Sequence, residues 1–290
     1  MKKRKFLYLT IITLLLILTS GCYSKDELKG STITTTVYPI EYLTERLYGY
    51  NSTINSIYPN DTDTKTYELT EKQIKDYAKK TNLFIYNGLS NEKEIAKTFL
   101  NKSKKIQIID AAYGIKYKYG IEELWLNPNN YLMLANTIKN DLKDLSANKY
   151  TALKIEENYA QLEEELSTLD AEFRNLARLA TKNSKNTIVV AYDTFSYLED
   201  YGFEIINISN ENNITTAIKN KFKNKTYKYI LVKDAKNTPD YINDIVDNYG
   251  TELLEIDTLD TLTDAQKANK DNYLTIMNDY LSKLSNIVLN

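Results

Sequence analysis

Short β-rich runs alternate with amphipathic helical stretches along most of the chain, and this alternation leaves few folds open. In the first half, strand-like runs at Thr32 to Val37, Thr53 to Tyr58, Leu83 to Tyr86 and Ile106 to Asp110 are separated by helical runs at Ile40 to Leu47, Glu71 to Lys80 and Glu92 to Leu100. The second half repeats the scheme. Its strands run Thr187 to Tyr192, Glu204 to Ile208, Tyr229 to Lys233 and Leu253 to Asp257, with helices near Phe195 to Tyr201, Thr215 to Phe222 and Pro239 to Tyr249. Strands that alternate with helices form parallel sheets covered on both faces. The sequence therefore predicts an α/β chain of two doubly wound lobes, one sheet per half.

Between the halves lie a helix from about Asn130 to Leu145 and a longer one from about Lys149 to Ala180. On the second, Ala152, Ile155, Tyr159, Leu162, Leu166, Leu169, Phe173, Leu176 and Ala180 step alternately by three and four, with Glu and Lys between them. That is a heptad seam. Alone it would suit a coiled-coil dimer; bracketed by two α/β halves, it is more economically a rigid spine packed against both lobes of a monomer. The expected organisation is a segment 1–21 that is removed, an N-terminal lobe over 22–148, a spine over 149–181 and a C-terminal lobe over 182–290.

The first residues read as a signal peptide. Lys2, Lys3, Arg4 and Lys5 form a basic segment, and Phe6 to Leu18 an apolar one too short to span a bilayer as a mature helix. Thr19-Ser20-Gly21-Cys22 follows, two small residues before the one cysteine in the protein, and it resembles the lipobox at which bacterial lipoproteins are diacylated and cut. The usual leucine three places before the cysteine is Thr19 here. Two acyl chains on Cys22 give stable anchoring where one would be marginal. The mature chain is expected outside the cytoplasmic membrane, tethered to it.

Composition removes several chemistries. Loss of residues 1–21 takes four positive charges and shifts the formal net charge from −2 to −6, so no basic patch for nucleic acid is implied. With Cys22 lipidated, no thiol remains for a disulfide, a metal or a nucleophile. The chain contains no histidine at all. There is then no Ser-His-Asp machinery, no imidazole base and no imidazole ligand. No glycine-rich phosphate loop occurs and no spacing points to an enzyme.

Ligands of open α/β sheets bind beyond the carboxyl ends of the strands, so the cleft between two such lobes is the expected site. The loops that reach it carry Asp61, Asp63, Lys65, Tyr67 and Glu68 after the second strand, and Glu122, Glu123 and Trp125 after the fourth. Tyr192, Asp193 and Asp257 end strands of the second half.

At these loops the chain resembles the metal-ion solute-binding lipoproteins of bacterial ABC importers, which capture zinc or manganese outside the membrane. Thr34-Thr35-Thr36-Val37-Tyr38-Pro39 is similar to the family's opening strand, and Asn82 to Leu89 to its third strand and turn. Trp125-Leu126-Asn127-Pro128 resembles its Trp-Leu-Asp-Pro turn, Asp193-Thr194-Phe195-Ser196-Tyr197 its Asp-Ala-Phe-x-Tyr segment, and the long helix its spine. The resemblance covers nearly the whole mature chain. It implies a divalent metal ion as cargo and an ABC permease as partner.

The residues at the family's metal-ligand positions depart from its pattern. The first histidine falls on Lys65, within Lys65-Thr66-Tyr67-Glu68-Leu69-Thr70; the second, two places before the tryptophan, on Glu123; the third on Tyr192; and the fourth ligand, an aspartate, on Asp257. Only that aspartate is unchanged. A protonated lysine has no lone pair. At about 4 Å from a divalent ion, and at an effective dielectric near 20, it repels that ion by an upper-end value on the order of 8 kcal/mol.

Three arrangements satisfy the residues. The Lys65 ammonium sits where the metal would, paired with Glu123 and Asp257 and with the Tyr192 hydroxyl as a further partner. Alternatively Lys65 points to solvent, Glu123 is a surface charge and Tyr192 one more aromatic of a tyrosine-rich chain. Or a hard cation is held by oxygens of Asp61, Asp63, Glu123, Asp193 and Asp257, although no calcium-loop spacing is present. Two functions follow: an importer's binding component with a degenerate metal site, or a surface lipoprotein that has lost metal binding and serves a structural or partner-binding role.

Overall fold

In the computed structural model, which describes Asp26 and residues 28–289, the β-branched and apolar runs form two four-stranded sheets. The expected signal peptide and Cys22 lie outside the described residues. The first sheet contains β1 (Thr32–Thr35), β2 (Thr53–Ser56), β3 (Leu83–Tyr86) and β4 (Gln107–Asp110); the second contains β5 (Thr187–Val190), β6 (Glu204–Asn207), β7 (Tyr229–Val232) and β8 (Glu252–Glu255). Every pairing is parallel, and the orders β2-β1-β3-β4 and β6-β5-β7-β8 are equivalent. Each sheet thus reverses direction beside its first strand, which opens a crevice at that strand's carboxyl end.

Helices make the crossovers. In the first lobe they are α1 (Tyr38–Tyr48), α2 (Glu71–Lys80) and α3 (Glu92–Lys102). Helix α2 starts where expected because Thr70 and Gln73 form a capping box, each side chain satisfying the other's backbone N–H. A one-turn helix α4 (Glu123–Leu126) then leads into α5 (Pro128–Ser146) and the spine α6 (Lys149–Lys182), which Asn148 caps through the backbone N–H groups of Tyr150 and Thr151. The second lobe continues with α7 (Thr216–Lys223) and α8 (Asp240–Tyr249). The helix expected near Phe195 to Tyr201 is a 3-10 segment, Asp193–Tyr201, ended by Gly202 at a φ of 102°.

The heptad seam of α6 is buried within the chain from Ile155 to Ala180, while Ala152 is only partly covered and Thr151 takes the buried place beside it. The seam packs on α1 and α5 towards one end and on the C-terminal helix towards the other. One hydrophobic core therefore runs without a break from Leu28 through both sheets to Val288. A smaller core, including Val189, Phe222, Ile230 and Ile245, covers the outer face of the second sheet.

Three α-helices have no counterpart in the sequence reading: the one-turn α4, α9 (Asp264–Asn269) and α10 (Tyr273–Leu289). Helix α10 returns to the first lobe, where the Tyr273 hydroxyl donates to the Trp125 carbonyl at 2.6 Å and its ring stacks on Tyr131 at 4.1 Å. No described helix is long and apolar enough to cross a membrane.

Candidate functional site: a charged cleft between the lobes

The loop after β2 is shaped by Asp63, whose carboxylate accepts the Lys65 backbone N–H at 2.9 Å and the Thr66 hydroxyl at 3.1 Å. This turn aims Lys65 across the first lobe. Its ammonium meets Glu122, not Glu123, at 2.7 Å. The other Glu122 oxygen accepts the Thr194 hydroxyl of the second lobe at 3.1 Å. One carboxylate is thereby shared between the lobes. A Cβ on Gly120 would lie 2.9 Å from both the Glu122 carboxylate and Thr194, so the approach requires glycine there.

The pair is asymmetric: the Lys65 side chain is 54% exposed and that of Glu122 only 4%. Burial raises the Glu122 pKa, but the Lys65 hydrogen bond and charge outweigh it and hold the carboxyl below its ordinary range. Burial likewise lowers Lys65, and Glu122 more than restores it. Two further groups join them. Lys233, just past β7, places its ammonium 4.9 Å from the centre of the Tyr192 ring, and burial together with the Lys65 charge depresses its pKa. Asp260, which accepts the Thr258 hydroxyl at 2.7 Å, is pushed up to about 6 by burial, with the Glu122 charge adding to the rise.

Glu92 completes the cleft as a fully buried acid that accepts the Asn87 backbone N–H at 2.9 Å. Burial pushes it up to about 7. With Lys65, Glu122 and Asp260 it lines a cavity of about 370 Å³, walled also by Tyr58, Tyr117 and Tyr119. At the rim the Tyr119 hydroxyl donates to Glu199 of the second lobe at 2.7 Å.

The other expected site residues are engaged elsewhere. Glu123 turns back on its own loop, accepting the backbone N–H groups of Lys118 and Tyr119 at 3.0 Å and the Asn130 amide at 3.3 Å. Asp257 accepts the Leu259 N–H at 2.7 Å and the Gln266 amide, and it faces a separate groove with Asp271 and Asp279. Tyr192 offers Lys233 its ring face. Asp61 clips the lobes together by accepting the Asp264 N–H at 2.8 Å, and Asp193 accepts from Asn207 and Ser209. The expected pairing of Lys65 with Glu123 and Asp257 is therefore corrected to Lys65 with Glu122, beside Asp260. Among the described residues, no three of His, Cys, Asp or Glu are grouped to hold a metal ion.

The sequence reading places Glu122 on a loop that reaches the cleft but gives it no role, and it assigns no site role to Glu92, Thr194, Lys233 or Asp260. Position carries a signal for two of them, since Thr194 and Lys233 follow β5 and β7, which flank the direction change of the second sheet.

No curated protein matches the chain in sequence. The chain is similar in structure to the metal-dependent lipoprotein YcdH of Bacillus subtilis, at a TM-score of 0.75 and 19% identity over 90% of this chain and all of that one. The Zn(II)-bound ZnuA-like domain of Streptococcus pneumoniae AdcA matches at 0.72 and 21% over the same shares. A crystal structure of ZnuA matches at 0.68 and 18%, over 89% of this chain and 99% of that one. Identities this low show the fold alone. The sequence profile of the family described as zinc-uptake complex component A, periplasmic, matches residues 33–287. The chain belongs to this ZnuA family, whose members are substrate-binding components of ABC importers and not enzymes.

Proposed function

We propose that the chain is the lipid-anchored, extracytoplasmic binding component of an ABC importer, and that an internal ion pair fills its metal position. In this reading Cys22 carries the lipid, the mature chain works as a monomer, and a membrane permease receives its cargo. The observation that carries the reading is the 2.7 Å pair between Lys65 and Glu122 at the mouth of the inter-lobe cleft. A lysine there repels a divalent ion, and the carboxylate that could attract one is already neutralised. Of the remaining acids, Glu92 is pushed up to about 7 by burial and is a poor ligand near neutral pH, while Asp260 is engaged by the Thr258 hydroxyl.

The test is metal content. The mature chain carrying Cys22→Ala is purified without chelator, assayed by mass spectrometry, and titrated calorimetrically with zinc, manganese and calcium. The expected result is neither co-purified metal nor saturable binding below the millimolar range. Stoichiometric zinc or manganese at sub-micromolar Kd would overturn the reading.

A further inference from the structure

Asp26 pins the N-terminal part of the chain to the start of the spine. It is buried, and one oxygen of its carboxylate accepts both the Tyr48 hydroxyl at 2.7 Å and the Thr151 hydroxyl at 2.9 Å. The surface around this point is apolar. Tyr150 is 75% exposed and Leu153 64%, and among the large apolar side chains described only Tyr113 is more exposed. They stand three apart on one face of α6, outside the seam, whose buried places here are Thr151 and Ile155. Tyr50, 49% exposed, sets its ring centre 5.8 Å from that of Tyr48, the ring whose hydroxyl Asp26 holds. Burial raises the Tyr50 pKa, with Asp26 and Tyr150 adding to the rise, as their nearness requires. Lys29 and Lys149 are exposed at the rim, and Glu157 is paired with Lys154 at 3.1 Å.

We propose that this end of the spine rests on the phospholipid bilayer, with Tyr50, Tyr150 and Leu153 entering the headgroup layer and Lys29 and Lys149 meeting lipid phosphates. The proposal rests on the reading of Cys22 as the lipid-bearing residue. Chain length then selects the occupant. Four residue steps separate Cys22 from Asp26, and a fully extended chain covers at most about 14 Å in that distance. A lipid on Cys22 therefore keeps this face close to the headgroups, and a folded partner domain is wider than the gap. The side chains suit such a neighbour. A tyrosine ring with its hydroxyl matches the boundary between hydrocarbon and water, and lysine matches an anionic headgroup. A tether alone would let the protein pivot; contact through this patch fixes which end of the spine meets the membrane.

Cys22 is the one thiol of the chain, so the mature form, made without residues 1–21, can be coupled through it to a maleimide phospholipid. The coupled chain is placed on vesicles of phosphatidylcholine and phosphatidylglycerol that contain a photoactivatable phospholipid. After irradiation, lipid adducts are located by peptide mass spectrometry. Tyr113 serves as the control for exposure alone: it is 81% exposed but follows the carboxyl end of β4, whereas Tyr50 precedes the amino end of β2. The segments of Tyr50, Tyr150 and Leu153 are expected to label on the order of tenfold more than that of Tyr113. Tyr150→Ser with Leu153→Ser, its fold checked by circular dichroism, should bring that labelling close to the control. Equal labelling at Tyr113 overturns the proposal. So does a double variant that labels like the wild type, since the tether by itself would then account for the contact. A dimer of the uncoupled chain that the double variant dissolves overturns it in favour of a second copy as the cover. Absence of acyl chains on Cys22 in protein recovered from its own cells would instead overturn the anchoring in the proposed function, a result the chemically coupled vesicles do not depend on.

Discussion

Where the lobes meet around Trp125, Tyr131 and Tyr273, the contact is aromatic, dry and hydrogen-bonded at its polar atoms, with Trp125 donating to the Thr258 carbonyl at 2.7 Å and Tyr273 to the Trp125 carbonyl. Three residues before Trp125, at Glu122, the same interface is charged and half open to water. The two regions divide the work. Buried aromatic area is large and indifferent to salt, so the seam can hold the lobes together. The ion pair is exposed on its lysine side and adds little cohesion, which leaves the cleft free to be specialised for what enters it.

Removing the seam's anchor should have the largest effect. Trp125→Ala deletes a fully buried indole and its hydrogen bond, and is expected to cost about 3–5 kcal/mol, read as a lower denaturant midpoint. A loss below about 1 kcal/mol would mean that the charged cleft, and not the seam, holds the lobes.

Acidity separates the regions next. The Glu92 carboxyl titrates near 7 in the folded chain against 4.5 for an ordinary glutamate, so the native state holds more protons across that window. Stability should fall as pH rises from 4.5 to 7 and level off above it, with Glu92 contributing on the order of 3 kcal/mol. Glu41, pushed up to about 7 mainly by burial, and Asp260 act with the same sign. Glu92→Gln should flatten part of the slope and gain stability above pH 7; an unchanged slope in denaturant titrations at pH 5 and 8 would count against this account.

Lys65→Met tests the cleft directly. It leaves a nearly buried Glu122 charge without its ammonium, for an expected loss of roughly 1–3 kcal/mol, the small end applying if water reaches the carboxylate. If removal of Lys65 stabilised the chain instead, repulsion by Lys233 would outweigh the pair. Smallest of the four, Glu123→Gln should cost about 1 kcal/mol by loosening the Lys118 and Tyr119 turn, read as a small drop in the denaturant midpoint.

Much of the architecture is legible in the residues because local and tertiary preferences agree. The apolar run Leu83–Tyr86 is buried at every position, and the Thr70 and Gln73 capping box marks the start of α2. Helix α10 was equally open to view, with Tyr273, Ile276, Met277, Tyr280, Leu284 and Val288 at helical spacing, yet the strand-and-helix alternation ends before it and draws attention away. The site is harder for reasons of direction. Successive residues of a helical turn point about 100° apart, so of Glu122 and Glu123 only one can face the cleft, and the sequence does not say which. The segment Asp257-Thr258-Leu259-Asp260-Thr261-Leu262 offers the same tripeptide twice. Either aspartate suits a motif; the structure turns the second inward. Lys233 bears no motif at all, and its importance comes from Lys65, 168 positions earlier.

The spine also sets a mechanical tolerance. At about 1.5 Å per residue, the 34 residues of α6 make a rod of roughly 50 Å gripped at its two ends by different lobes. Tilting such a rod by about one degree displaces its far end by nearly 1 Å, as much as separates a sound hydrogen bond from a lost one. The Glu122 and Thr194 contact is thus gauged by the straightness of a helix whose packing lies mostly elsewhere. Small volume changes at Leu166 or Leu169, far along the chain from Glu122, become a means of shifting that contact without touching a residue that lines the cleft.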